Sequence, residues 1–299
     1  MGYTSYNASL RANRAATMDY AAAPVTKLFK QNVERKIHES MNPKGVLIRE
    51  CRDSKEHPNA TPIIFGLDVT GSMGHIPHQM IKDGLPTLMS ALTQNGVPDA
   101  ALMFVAVGDH ECDRAPLQVA QFESGDAELD MWLTRTWLEG NGGGNAGESY
   151  LLAWYFAAYH TGTDAWDKRK EKGFVITIGD EPCLRNLPAE AVREIMGDTT
   201  RAQGTMTAFE LLAAAQEKYH VFHIHLNHGR TCDPMWKQML GSNLIEIDDH
   251  RATARTISDI VLSKVTKTVQ ADNNAQPTSP ANNGTQPTTN GSSPSDIML

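Results

Sequence analysis

Residues 62–75 read PIIFGLDVTGSMGH, and the fold turns on how this stretch is read. An apolar run from Ile63 to Leu67 ends at an acid, Asp68. A continuous run of this kind is the mark of a strand buried on both faces. Beyond the acid comes the spacing Asp68-x-Thr70-x-Ser72, loosened by Gly71 and Gly74. One loop therefore offers three hard oxygen donors, the set that a small divalent cation such as Mg²⁺ accepts. Taken alone, the same residues also describe a strand end whose hydroxyl turn caps the next helix.

Outward from this point the pattern alternates. A helix carrying Ile81, Leu85, Leu88, Met89 and Leu92 on one face follows the loop, and Gly84 and Pro86 predict a kink in it. Residues 100–107 (AALMFVAV) are a second buried strand, and 117–122 (LQVAQF) alternate as a half-exposed edge strand does. A helix is expected over 126–137. The glycine loop 141–148 (NGGGNAGE) then opens an apolar helix over 150–160. A third buried strand, 172–179, stops at Asp180. Helices over 189–196 and 207–219, strands over 220–226 and 243–247, and a last helix over 250–268 complete the series. This predicts an α/β fold, a doubly wound, mostly parallel central sheet flanked by helices. Such sheets bind ligands beyond the carboxyl ends of their strands, where Asp68 and Asp180 stand.

Before the core domain (61–268) lies an N-terminal extension, 1–60. Its first 24 residues read as an arm able to lie on another surface. Residues 25–41 read as one helix with Leu28, Phe29, Val33 and Ile37 in a stripe, and 46–49 as a short strand. Residues 269–299, rich in Asn, Pro, Thr, Ser and Gly, are expected to be a disordered tail. The net charge of −8 argues against unspecific nucleic-acid binding. No apolar leader opens the sequence and no apolar run is long enough for a bilayer, so the expected setting is cytoplasmic and away from membranes. Cys51, Cys112, Cys183 and Cys232 form no C-x-x-C pair and are expected to be reduced.

In this topology three distant segments converge: Asp68-Val-Thr70-Gly-Ser72, the loop around Gly142 to Glu148, and Ile178-Gly-Asp180-Glu-Pro. Together they resemble the von Willebrand factor A (vWA) domain with its metal-ion-dependent adhesion site, in its intracellular form, over roughly 61–268. The resemblance implies Mg²⁺ or Mn²⁺ held by Asp68, Thr70, Ser72 and Asp180. Asn145 stands nearest the place of the threonine in the family's second motif, so ligation there is a departure from the pattern. Glu148 and Glu181 are candidates for an outer ring. The implied function is a metal-dependent binding module rather than an enzyme. A partner's Asp or Glu completes the cation's shell, and an AAA+ ATPase is a candidate companion by family analogy. Two other readings stand beside it: a structural or assembly subunit, and, less favoured, a Mg²⁺-dependent phosphotransfer enzyme built on the Asp-x-Thr-Gly of residues 68–71.

Weaker signals remain. His75 and His78 follow the loop, either near a partner or capping the helix. The acidic loop Asp109-His-Glu-Cys-Asp113 either lines the same surface or is a solvated turn. His223 and His225 share one face of a strand, which admits a second metal site or, more simply, half-buried packing.

Overall fold

The computed structural model describes residues 4–140, 147–197, 201–227 and 232–274, and for Ile81 and 266–274 the backbone alone. The central sheet has six strands: β1 (Thr61–Asp68), β2 (Ala100–Val107), β3 (Leu117–Val119), β4 (Gly173–Gly179), β5 (Tyr219–Leu226) and β6 (Leu244–Ile247). Their spatial order is β6-β5-β4-β1-β2-β3. All neighbours are parallel except β3, which runs antiparallel to β2 at one edge. The chain starts at β1, moves outward through β2 and β3, then returns to lay β4 on the other side of β1. This reversal opens a crevice at the carboxyl ends of β1 and β4. Asp68 ends the first of these strands and Asp180 follows the second.

The apolar runs behave as read. β2 and β4 are buried along their whole length and β1 from its second residue onward. The helix Tyr150–Tyr159 is apolar all round and buried from Tyr150 to Ala158, so it lies inside the molecule rather than on its surface. It presses closely on β1. A side chain at Gly66 would meet Thr177 Cγ2 at 2.9 Å and Ala153 Cβ at 3.3 Å. Gly66→Ala is therefore expected to cost about 1–3 kcal/mol through overpacking, read as a lower urea midpoint with an unchanged slope. An unaltered midpoint would mean that the helix can stand off from the sheet.

Other expectations need correction. Residues 25–41 form two short helices, Val25–Leu28 and Gln31–Glu34, and a 3₁₀ turn, Glu39–Met41. The backbone leaves the helical region at Phe29, with φ −100° and ψ 84°, and turns left-handed at Arg35, with φ 50°. Burial explains the break. Leu28, Phe29 and Gln31 are all buried while Val33, a member of the expected stripe, is 68% exposed, so burial does not follow that stripe. The short strand falls at Arg49–Cys51, not 46–49, and pairs with Thr161–Thr163 in a separate parallel ribbon. The edge strand is only Leu117–Val119 and is fully buried rather than half-exposed. Its polar position, Gln118, is bound to the Trp137 backbone, donating to the carbonyl at 2.8 Å and accepting from the N–H at 2.9 Å. Alternation there signals a satisfied amide, not solvent.

The expected kink is a π-helical turn, Met80–Gly84, between Ile76–Gln79 and Leu85–Gln94. The helix predicted over 126–137 ends at Thr134. The last helix spans Thr253–Asn274, beyond its expected end at 268, and residues 275–299 lie outside the described residues. The N-terminal arm lies on this chain's own core. Helix Ala8–Thr17 is held to helix Asp126–Thr134 by Arg11 on Asp130 at 3.2 Å, and by Arg14 on Asp126 at 2.6 Å and Asp130 at 3.0 Å. All four cysteines are free thiols. Among the described residues no helix is long and apolar enough to cross a membrane.

Candidate functional site

At the crevice between β1 and β4 the sequence-predicted oxygens come together. Asp68 Oδ1 accepts from the Thr70 N–H at 2.9 Å and from the Thr70 hydroxyl at 2.6 Å. The Ser72 hydroxyl donates to Asp180 Oδ1 at 2.7 Å, and the Thr70 and Ser72 hydroxyl oxygens are 3.4 Å apart. The four residues thus form a continuous chain from Asp68 through Thr70 and Ser72 to Asp180. The local fold explains it. Thr70 is extended, with φ −76° and ψ 175°, and starts a 3₁₀ turn, Gly71–Met73, that swings Ser72 across the crevice. Asn145 lies outside the described residues, as do its neighbours 141–146.

Both hydroxyl protons are engaged by carboxylates, which leaves lone pairs on both hydroxyl oxygens. Adjacent oxygens in an octahedral Mg²⁺ shell are about 2.9 Å apart, within the range spanned by these contacts. Among the described residues no three His, Cys, Asp or Glu side chains converge to hold a cation by themselves. The set here is a mixed one, two carboxylates and two hydroxyls, and its donor chemistry fits a hard divalent cation.

The electrostatics point the same way. Asp68 is wholly buried and its pKa is pushed up to about 7. Burial is the main cause; the Thr70 hydroxyl and N–H and the Tyr150 hydroxyl pull it down, and Asp180 pushes it up. Glu148 is raised to about 9 by burial and then by Asp68, Asp113, Asp109 and Glu181. Burial also raises Asp113. No cationic side chain figures among the main influences on Asp68 or Glu148. Glu148 Oε2, Asp109 Oδ2 and Asp113 Oδ1 are buried without a hydrogen-bond partner. Buried carboxylates are ordinarily paired, neutralised by protonation or bound to metal. This crevice holds a surplus of them.

Tyr150 is the site residue that sequence reading missed. Its hydroxyl donates to Asp68 Oδ2 at 2.8 Å from the first position of the apolar helix. Gly179 makes the approach possible, since a side chain there would collide with the Tyr150 hydroxyl and come within 2.9 Å of Asp68 Oδ2. The available signal was a hydroxyl-bearing aromatic just after the glycine loop, in a segment otherwise read as core. The acidic loop is solvated at Glu111 and Cys112 but buried at its start. Asp109 is buried, its N–H donates to Asp113 Oδ2 at 2.8 Å, and His110 N–H donates to Ser149 Oγ at 2.9 Å. His223 and His225 are fully rather than half buried. His223 shares a hydrogen bond with the Thr177 hydroxyl at 2.9 Å and lies flat on Trp236 at 3.7 Å, packed as a neutral ring whose pKa burial holds well below its usual value. His75 meets His250 edge-on at 5.0 Å, and His78 faces Phe29.

No family model and no curated protein matches the chain. Among solved structures, the open conformation of the pilus adhesin SpaC from Lactobacillus rhamnosus GG is similar at a TM-score of 0.48 and 10% identity, over 72% of this chain and 31% of the adhesin. A second crystal structure of SpaC gives 0.44 and 10%, over 71% and 31%. An aerotolerance-related membrane protein from Bacteroides fragilis gives 0.40 and 13%, over 69% of this chain and 100% of that one. The chain thus spans about a third of the adhesin's length. Likenesses this distant say nothing of its chemistry.

Proposed function

We propose that this chain is a divalent-cation-dependent protein-binding module of the von Willebrand factor A type. The observation that carries the reading is the chain of contacts from Asp68 through Thr70 and Ser72 to Asp180, set among buried acids whose main influences include no cationic side chain. In this reading Thr70 and Ser72 offer neutral oxygens, Asp68 and Asp180 orient those hydroxyls and supply charge, and Asn145 offers an amide oxygen. When bound, Mg²⁺ or Mn²⁺ supplies an open coordination position for an acidic side chain of a partner. The role proposed is binding, not catalysis, in a cytoplasmic setting, with an AAA+ ATPase as the companion that the family resemblance suggests.

Titration calorimetry with Mg²⁺, paired with capture of partners from cell extract by wild type and Asp68→Ala in Mg²⁺ buffer, tests the proposal. Wild type is expected to bind Mg²⁺ and retain proteins that Asp68→Ala releases. Identical captures with and without the acid would end the adaptor reading. Ser72→Ala is expected to weaken Mg²⁺ about tenfold and Asn145→Ala by less than Asp68→Ala does. A loss at Asn145 equal to that at Asp68 would make the glycine loop the principal ligand. Turnover of a generic phosphoester that disappears in Asp68→Asn would favour the phosphotransfer alternative.

A further inference from the structure

We infer that Trp236 is the positioning residue that holds both carboxylate arms of the candidate site in place. The inference rests on the cation-binding reading above and adds the residue that assembles the site. Trp236, in helix Pro234–Leu240, is wholly buried. Its indole N–H donates to the carbonyl of Glu181 at 3.2 Å, one residue beyond Asp180. Its ring meets Tyr150 edge-on at 5.4 Å, and Tyr150 is the residue whose hydroxyl reaches Asp68. One side chain therefore touches the backbone of one arm and the aromatic support of the other.

The ring has little room to move. His223 is stacked on it at 3.7 Å with an interplanar angle of 6°, and is itself tied to the Thr177 hydroxyl of β4. Trp154 meets it edge-on at 6.0 Å. Tyr150, in turn, passes over the bare Cα of Gly179. A buried tryptophan usually finds an acceptor for its N–H, and any carbonyl would serve packing alone. Here the acceptor adjoins Asp180 and the ring neighbour serves Asp68. A tilt of the indole displaces both, and cation ligands tolerate displacements of only about 0.2 Å.

The test uses the full chain and Mg²⁺ as the probe, with Trp236→Phe, Trp132→Phe and Tyr150→Phe compared with wild type by calorimetry and intrinsic fluorescence. Trp132 is also buried, and it packs against Glu123, Arg49 and Arg135, which belong to neither arm, so its variant controls for lost packing. Trp236→Phe and Tyr150→Phe are each expected to weaken Mg²⁺ at least about tenfold, and the double variant by less than the product, as for residues acting through one contact. Trp132→Phe is expected to stay within about twofold of wild type despite its own loss of stability. The change in tryptophan emission on adding Mg²⁺ should vanish in Trp236→Phe and persist in Trp132→Phe. An affinity in Trp236→Phe within twofold of wild type, or an equal loss in Trp132→Phe, overturns the inference while leaving the site. If Trp236→Phe does not fold, undiminished binding in Tyr150→Phe overturns it instead. A wild-type protein that binds no Mg²⁺ removes both the site and its positioning residue.

Discussion

Asp68→Asn is expected to abolish Mg²⁺ binding and, in the absence of the ion, to make the protein more stable. The first half follows from the site's charge. Asp68 is one of two carboxylates in the Asp68–Asp180 chain, and losing both its charge and its hold on the Thr70 hydroxyl should weaken the ion about a hundredfold, enough to take it out of calorimetric range. The second half follows from burial. The acid is wholly enclosed, its pKa stands near 7, and its hydrogen bonds come from neutral groups. Raising its pKa from 3.8 to about 7 works against the ionised form by ~4 kcal/mol, so an isosteric amide relieves a penalty of a few kcal/mol above neutrality. Calorimetry measures the affinity, and thermal melts with EDTA measure the stability. Wild-type affinity in the variant would exclude Asp68 from any cation site. A variant less stable than wild type in EDTA would show that the carboxylate is stabilised by something other than a cation.

The metal-free wild type should also grow less stable as pH rises, and Mg²⁺ should reverse the trend. The sign follows from linkage. Asp68 and Glu148 have folded pKa values of about 7 and about 9, above their ordinary 3.8 and 4.5. Between these limits the folded state holds protons that the unfolded chain has released. Their stabilisation is therefore complete below about pH 4 and is lost as pH climbs through 7 and then 9. A half-buried histidine acts in the opposite sense. His220, lowered from 6.5 to about 4 by burial, Lys264 and Lys172, costs stability as pH falls from 6.5 towards 4. The two effects oppose each other in the acid range, so the diagnostic limb runs from about 6.5 to 9. A fall of several kcal/mol is expected there in EDTA, reduced in Glu148→Gln and flattened by millimolar Mg²⁺. Urea titrations across that range, with and without the ion, decide it. A flat limb in EDTA would show that the acids are compensated without metal.

Much of the frame was legible because burial imposes one pattern on it. Residues 63–67 and 100–107 are apolar without interruption and 173–178 are broken only by Thr177, as short strands covered on both faces are. The oxygens at strand ends were legible for the complementary reason: Asp68 and Asp180 each break such a run. What failed to show was anything decided by distant partners. Gln118 looks solvent-facing until Trp137's backbone is found beside it. Residues 25–41 have helical spacing, yet the chain buries Gln31 and leaves Val33 exposed, the reverse of the expected stripe. Tyr150 reads as core, and its hydroxyl gains meaning only because Gly179 leaves space on the adjoining strand. Asp109 reads equally well as part of a solvated turn, because a single residue's polarity does not reveal its neighbours' charge.

The segment from Tyr150 to Ala158, enclosed on every side, fixes how this protein can adapt. Its amides should exchange with solvent only when the whole domain opens. Such a foundation does not bend when something settles on the crevice above it. Accommodation of different visitors must then come from the connections above the strand ends. A designer seeking a new specificity can rewrite those connections and leave the foundation untouched.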